Sequence, residues 1–239
     1  THEDGCPAGT STDNADDNGS NNLLRTTTQQ HEDPANPLAD DGVNTAEELK
    51  AALEAGGEVT LTGSFEISEK MDILITKPVT LNLNGYTVTK TYGEINHYFL
   101  AIRDGGSLTL EDTNGGKLAA THSSYGYGIE IGSNGTLIVN GGTIETTQEA
   151  ICNDYGASGA ALEINGGTVH CTGYDSAISL PSPADMDVTI TEGTVSAASS
   201  NAIFASGHGS LAIDISGGTL TGGNWTVYVS DGTDLTISG

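Results

Sequence analysis

The chain has 239 residues, room for one large domain or two small ones. Glycine is frequent at 33 residues, only 16% of side chains are charged, and 32 acids against 7 Lys and Arg give a formal charge of −25. Such a surface repels phosphate backbones and anionic lipid, so nucleic acid and electrostatic membrane docking are disfavoured, while cations, neutral glycans and basic protein patches remain as partners.

No Lys or Arg occurs after Lys117. No apolar run is long enough to span a bilayer, so no membrane insertion is expected. No secretory leader is visible, which leaves a cytosolic chain or one already processed. The acidic, Gly- and Thr-rich, Lys-poor composition favours export, to a secreted or cell-surface location, and a dispersed monomer. The cysteines Cys6, Cys152 and Cys171 are odd in number and widely spaced, so they make no disulfide framework. They also lack the C-x₂-C spacing of a zinc site.

Residues 1 to about 42 are polar and acidic and read as a flexible leader. Within them Asn14-x-Asp16-x-Asn18-Gly19 is a faint calcium-loop pattern. It begins on Asn rather than Asp, and Arg25 stands where a bidentate carboxylate is needed, so the expectation is no cofactor, with calcium the disfavoured alternative. A helix is predicted over 45–55. Thr45 is its N-cap, Glu48 holds the capping-box position, Leu49 and Leu53 share a face, and Gly56-Gly57 ends it. A helix this short needs something to cover, and the open end of a solenoid is the candidate.

Strand signals with period-2 alternation follow: Val59-Thr60-Leu61, Phe65-Glu66-Ile67, Ile73-Leu74-Ile75 and Val79 to Val88. A repeat then dominates. The phrase Φ-x-Φ-x-Gly-Gly-Thr-Φ, with Φ aliphatic, recurs as LIVNGGTI (137–144), LEINGGTV (162–169), VTITEGTV (188–195) and IDISGGTL (213–220). LNLNGYTV (81–88) and Asn114-Gly115-Gly116-Lys117-Leu118 are diverged copies. The second glycine falls at 116, 142, 167, 193 and 218, a period of 25 or 26 residues. Each repeat reads as three short strands, the first near Gly128–Ile131, Ala150–Asn153, Ala177–Leu180, Ala202–Ala205 and Thr226–Val229.

Stacking the repeats lines up four interior columns. They are Leu137/Leu162/Val188/Ile213/Leu235, Val139/Ile164/Ile190/Ile215/Ile237, Ile144/Val169/Val195/Leu220 and Ile151/Ile178/Ile203/Val227. The expected fold is an all-β right-handed parallel β-helix over 43–239, three strands per turn, capped by the helix. The last phrase, Leu235 to Gly239, breaks off inside the repeat, and continuation beyond it is expected.

The cap helix, the KPVTLNLNGYTVT phrase and the NGGT-type repeats resemble right-handed β-helix proteins of the pectin-lyase-like type. More narrowly, they resemble the repetitive surface proteins of Gram-positive bacteria. The resemblance covers about residues 43–239 and implies the fold more strongly than an activity, because that fold hosts lyases, hydrolases, adhesins and stalks. Lyases of the type use an Arg or Lys base beside calcium-binding acids, and here only Arg103 and a few early lysines are available. Hydrolases of the polygalacturonase type are similar at Gly207-His208-Gly209, and at Asn153-Asp154 without the intervening residue of Asn-x-Asp. Their paired Asp-Asp and downstream Arg-x-Lys are missing. Asp154 is then an isolated acid, two turns from His208, or roughly 9–10 Å at about 4.8 Å per turn. Inverting hydrolysis needs two carboxylates about 6.5–9.5 Å apart. Asp154 and His208 are therefore the weak catalytic candidates, and the plainer reading of Gly-His-Gly is a tight turn.

Two surface features complete the reading. A Thr column (Thr87, Thr143, Thr168, Thr194, Thr219) is interrupted by Lys117, with Glu145 and His170 nearby, and reads as an ordinary exposed ladder rather than an ice-binding array. Aromatics are scarce, but Asp154, Tyr155, Phe204, His208 and Tyr228 fall on one side and form the candidate ligand site, suited to stacking on sugar rings. By parity Cys152 points outward and Cys171 inward. The expected function is a non-catalytic adhesin or stalk that contacts glycan or a host surface protein, with a carbohydrate-active enzyme as the alternative.

Overall fold

The computed structural model describes residues 42–92, 97–122, 126–181, 183–206, 209–230 and 232–238. The Asn14–Gly19 stretch, Cys6, Gly207 and His208 lie outside the described residues.

Thr45 caps the helix Ala46–Ala55, its Oγ1 accepting from the Glu48 N–H at 3.3 Å. The Glu48 carboxylate reaches back to the Asn44 N–H at 3.0 Å, one residue before the cap. Gly56 ends the helix at φ 88°, where a side chain would be strained. Leu49, Ala52 and Leu53 are buried against the first strand of each face: Gly57–Thr60, Phe65–Ile67 and Leu74–Ile75. Lys50 donates to the Asp72 carbonyl at 2.6 Å, and the Leu74 N–H donates to Glu54 at 3.4 Å. The helix thus covers the interior of the first turn and satisfies part of its free edge, the role expected of it.

Behind the cap the chain winds as a parallel β-solenoid of about seven turns. The first face stacks Gly57–Thr60, Pro78–Asn82, Ser107–Glu111 and Thr136–Val139, then continues to Ser210–Ile215 and Thr233–Ile237. The second runs from Phe65–Ile67 through Thr87–Tyr92, Lys117–His122 and Thr143–Thr146 to Thr219–Gly222. The third comprises Leu74–Ile75, His97–Ile102, Gly126–Ile131, Glu149–Asn153, Ile178–Leu180, Ile203–Ala205 and Val227–Val229. All pairings between named strands are parallel.

The four predicted columns appear in register and extend toward the cap. Leu137, Leu162, Val188, Ile213 and Leu235 are successive partners, preceded by Leu108 and Val79. Ile151, Ile178, Ile203 and Val227 are likewise, preceded by Ile129 and Leu100. Each fully buried aliphatic contributes roughly 1.5–3 kcal/mol, and it does so only because the turns above and below cover it.

One expectation is modified. In two turns the first-face and second-face strands merge into single bent strands, Ser158–Cys171 and Asp185–Ala197. Register shifts beside Asn165 mark the bend. Gly167 (φ 68°) and Gly193 (φ 84°) turn this corner, and an added Cβ would lie 2.7 and 2.6 Å from the carbonyl oxygens of Gly142 and Gly166. Both the conformation and the close approach therefore demand glycine.

The second face hides a residue the sequence reading did not place. Lys90 occupies an inward position between Ile67 and Ala120 and is 2% exposed. Its ammonium donates to the carbonyls of Met71 (2.5 Å), Tyr98 (3.1 Å) and Phe99 (3.1 Å). Burial pushes its pKa down to about 8, against a smaller opposing effect of the Asp72 charge.

Candidate ligand-binding groove

The third face carries the site because its outward column is chemically varied. In register this column reads Leu74, Ala101, Glu130, Cys152, Ser179, Phe204 and Tyr228. Around its middle lies a cavity of about 210 Å³, lined by Tyr127, Glu130, Glu149, Cys152, Asn153, Asp154, Tyr155, Ser179 and Pro181.

Arg103 organises one wall. It starts one turn before Gly132, and a Cβ there would sit 2.7 Å from its Cγ. The missing side chain lets Arg103 lie along the face. Its guanidinium pairs with Glu130 and lies 3.5 Å from Asp154 Oδ2, while stacking 5.9 Å over the Tyr98 ring. Burial alone would depress the Arg103 pKa, but the Glu130 hydrogen bond and the two carboxylate charges raise it. Burial raises the Glu130 carboxyl despite Arg103.

The other wall is less compensated. Burial pushes Glu149 up to about 7, its own backbone N–H opposing and the charge of Asp175 reinforcing the shift. Its Oε2 is buried and makes no hydrogen bond among the described residues. Burial also raises Asp175, and it holds the Cys152 thiol well above its ordinary range, with the neighbouring Glu130 and Glu149 adding to it. Cys152 is thus a protonated, unreactive thiol in the floor of the cavity.

Of the expected ligand residues, Asp154 and Tyr155 line the cavity, and Tyr155 is 80% exposed, with its N–H donating to Asp154 Oδ1 at 2.7 Å. Phe204 and Tyr228 follow Ser179 in the same outward column and stack, centroids 5.1 Å apart and planes 13° off parallel. One expectation needs correction and one is refined. Asp154 is not an isolated acid: Glu130 and Glu149 share its cavity and Arg103 pairs with it. Cys152 does point outward, but it is 3% exposed because the cavity walls cover it.

The sequence reading missed Glu130, Glu149 and Ser179. For Glu130 and Ser179 a parity signal was present, since each stands one place after an interior aliphatic, Ile129 and Ile178; Glu149, after Gln148, had none. The reach of Arg103 across Gly132 had no such signal.

Among the described residues no group of three or more His, Cys, Asp or Glu is placed to hold a metal ion. No helix there is long and apolar enough to cross a membrane. The chain matches no protein-family model, no curated protein and no solved structure. The fold therefore defines its class, a parallel β-solenoid, and the groove is the basis for reading its function.

Proposed function

We propose that this chain is a non-catalytic secreted or cell-surface β-solenoid module whose third face binds glycan. The observation that carries the reading is the groove itself: a ring-sized polar cavity with an exposed tyrosine at its rim and a stacked aromatic pair further along the same face. Sugar recognition combines such aromatic platforms with convergent hydrogen-bonding groups. Binding is favoured over lyase chemistry because Lys and Arg side chains that could serve as its base are already engaged. Arg103 is held by two carboxylates, Lys117 pairs with Glu145, Lys50 pairs with Glu54, and Lys90 is buried under carbonyls. The acidic surface and the Gram-positive surface-protein resemblance support export, a host or glycan partner and a monomeric rod.

The test is a glycan array probed with the whole chain, followed by calorimetry on the best binder with Tyr155→Ala. Losing the platform should weaken binding about threefold to tenfold, the worth of one aromatic contact of about 0.5–1.5 kcal/mol. Undiminished binding by the variant would move the site elsewhere.

A second reading, a polysaccharide hydrolase, is supported by the placement of Glu149 in the groove beside two more carboxylates, Glu130 and Asp154, where burial pushes its carboxyl up to about 7. An acid so placed is suited to protonate a leaving group. Reducing-end release that disappears in Glu149→Gln with folding intact would establish it in place of the first.

A further inference from the structure

The cap does not close the three faces equally. On the first face Val43 pairs with Leu61, its N–H donating to the Thr60 carbonyl at 3.0 Å and its carbonyl accepting from the Thr62 N–H at 2.8 Å. On the third face Lys50 and Glu54 of the helix reach the Asp72 carbonyl and the Leu74 N–H. On the second face Phe65–Ile67 ends its sheet, and among the described residues no strand lies beyond it. The turns behind it show where its free groups point. Lys117, Thr143 and Thr168, in register with Thr87, donate their N–H groups to the preceding turn at 3.0, 3.0 and 2.9 Å, and Thr87 itself donates to Ser64 Oγ at 2.9 Å. Glu66 has the same phase, being the partner of Thr89, two places after Thr87. Its N–H and C=O therefore point out of the sheet, toward a neighbour that no described residue supplies.

A hollow of about 300 Å³ lies beside this edge. Phe65 and Met71, packed against the core and only partly covered, give it an apolar side, and Glu47, Glu66 and Glu69 give it an acidic one. No described lining residue is basic. A free strand edge is a template for backbone pairing, so the occupant it fits is another extended strand. The side chains decide which strand. An alternating one places apolar residues over Phe65 and Met71 and the residues between them beside Glu66. Acids on an open edge also guard it against self-pairing, and a second copy of this chain would bring the same acids to the contact. The charges that turn away a copy select a basic partner.

We infer that the edge of Phe65–Ile67 is a docking site for an extended segment of a partner protein, alternating apolar and basic residues, which adds to the second face as a further strand. Its backbone bonds the N–H and C=O of Glu66, its apolar side chains enter the hollow, and its Lys or Arg side chains meet Glu47, Glu66 and Glu69. This site is separate from the third-face groove, and the glycan reading stands or falls without it.

The experiment is calorimetry with the whole chain in about 0.15 M salt, where long-range attraction to a protein of charge −25 is screened. The probes are a short end-capped peptide alternating valine and lysine, the same peptide N-methylated throughout, and one alternating valine and glutamate. N-methylation keeps every charge and removes every backbone donor. The valine–lysine peptide should bind saturably, its N-methylated form at least about tenfold more weakly, a difference of about 1.4 kcal/mol, and the glutamate peptide not at all. Glu66→Lys should weaken the first peptide at least tenfold, while Glu163→Lys, on the first face and with the same change of net charge, should leave it unchanged. Should Glu66→Lys fail to fold, amide shifts of the natural chain on titration decide instead, and they should centre on Phe65, Glu66 and Ser68. Equal binding of the N-methylated peptide, or equal weakening by the two lysine substitutions, would reduce the effect to general charge and overturn the inference. Amide shifts centred elsewhere, or no binding of the valine–lysine peptide, would overturn it too.

Discussion

Lys90 offers a stability test that depends on no ligand. Its ammonium sits inside the second face, and burial lowers its pKa from the ordinary 10.5 to about 8. Below about pH 8 both folded and unfolded chains hold the proton, and folding bears the full cost of burying the charge. Between about 8 and 10.5 the unfolded chain holds the proton and the folded chain does not, so stability rises with pH. Above about 10.5 both are neutral and the cost is gone. At about 1.36 kcal/mol per pH unit, the gap between the two pKa values amounts to about 3 kcal/mol. Tyr98 and Tyr127, whose hydroxyls are raised mainly by burial, act oppositely near the top of this range. The assay is therefore a comparison: urea unfolding of the natural chain and of Lys90→Met, from about pH 7 to pH 10.5. The variant loses the ammonium hydrogen bonds to Met71, Tyr98 and Phe99, so its absolute stability is not the readout. The difference between the two chains should shift toward the natural one by most of about 3 kcal/mol as pH rises. A difference that stays flat with pH would show that Lys90 is solvated, and the burial argument would fail.

Two further substitutions test the packing and the groove. Ile164 is fully buried between Val139 and Ile190, so Ile164→Asp should unfold the domain, costing more than the roughly 2–5 kcal/mol of a truncation to Ala, whereas outward Glu163→Ala should stay within about 0.5 kcal/mol in thermal melts. Similar melting of the two would contradict the inward–outward alternation. Gly132→Ala should displace Arg103 from Glu130 and Asp154, because the new methyl falls 2.7 Å from Arg103 Cγ. Expected are a loss of about 1–2 kcal/mol and a further rise of the Glu130 pKa in a carbon-detected NMR titration; an unmoved Glu130 would mean Arg103 is not its counter-ion.

The solenoid was legible in the sequence because its information is periodic. One interior position such as Ile164 says little, but Val139, Ile164, Ile190 and Ile215 at a 25-residue repeat fix strand direction, register and facing together. The cap helix was legible for a local reason: Thr45, Glu48 and Gly56 are chemical signals for its two ends. The groove was half legible. Asp154 and Tyr155 stood out as an acid and an aromatic in a turn, and Phe204 and Tyr228 through parity. Glu149 did not, because its interest arises from a buried carboxylate oxygen without a partner among the described residues, a property of the surroundings. Lys90 was missed for the same reason in reverse. A lysine in a Thr-rich strand reads as outward, and only the small Ala120 beside it and the three carbonyls around its tip make the inward position stable.

The central claim is that the third face, and no other, meets the glycan. Amide chemical-shift mapping of the isotope-labelled whole chain, titrated with the best binder from the glycan array, tests it most directly. The account predicts saturable shifts clustered on Gly126–Ile131, Glu149–Tyr155 and Ile178–Pro181, with weaker ones at Phe204 and Tyr228. Shifts centred on the Thr ladder of the second face, at Thr143, Thr168 and Thr194, or no saturable shift with any glycan, would contradict it.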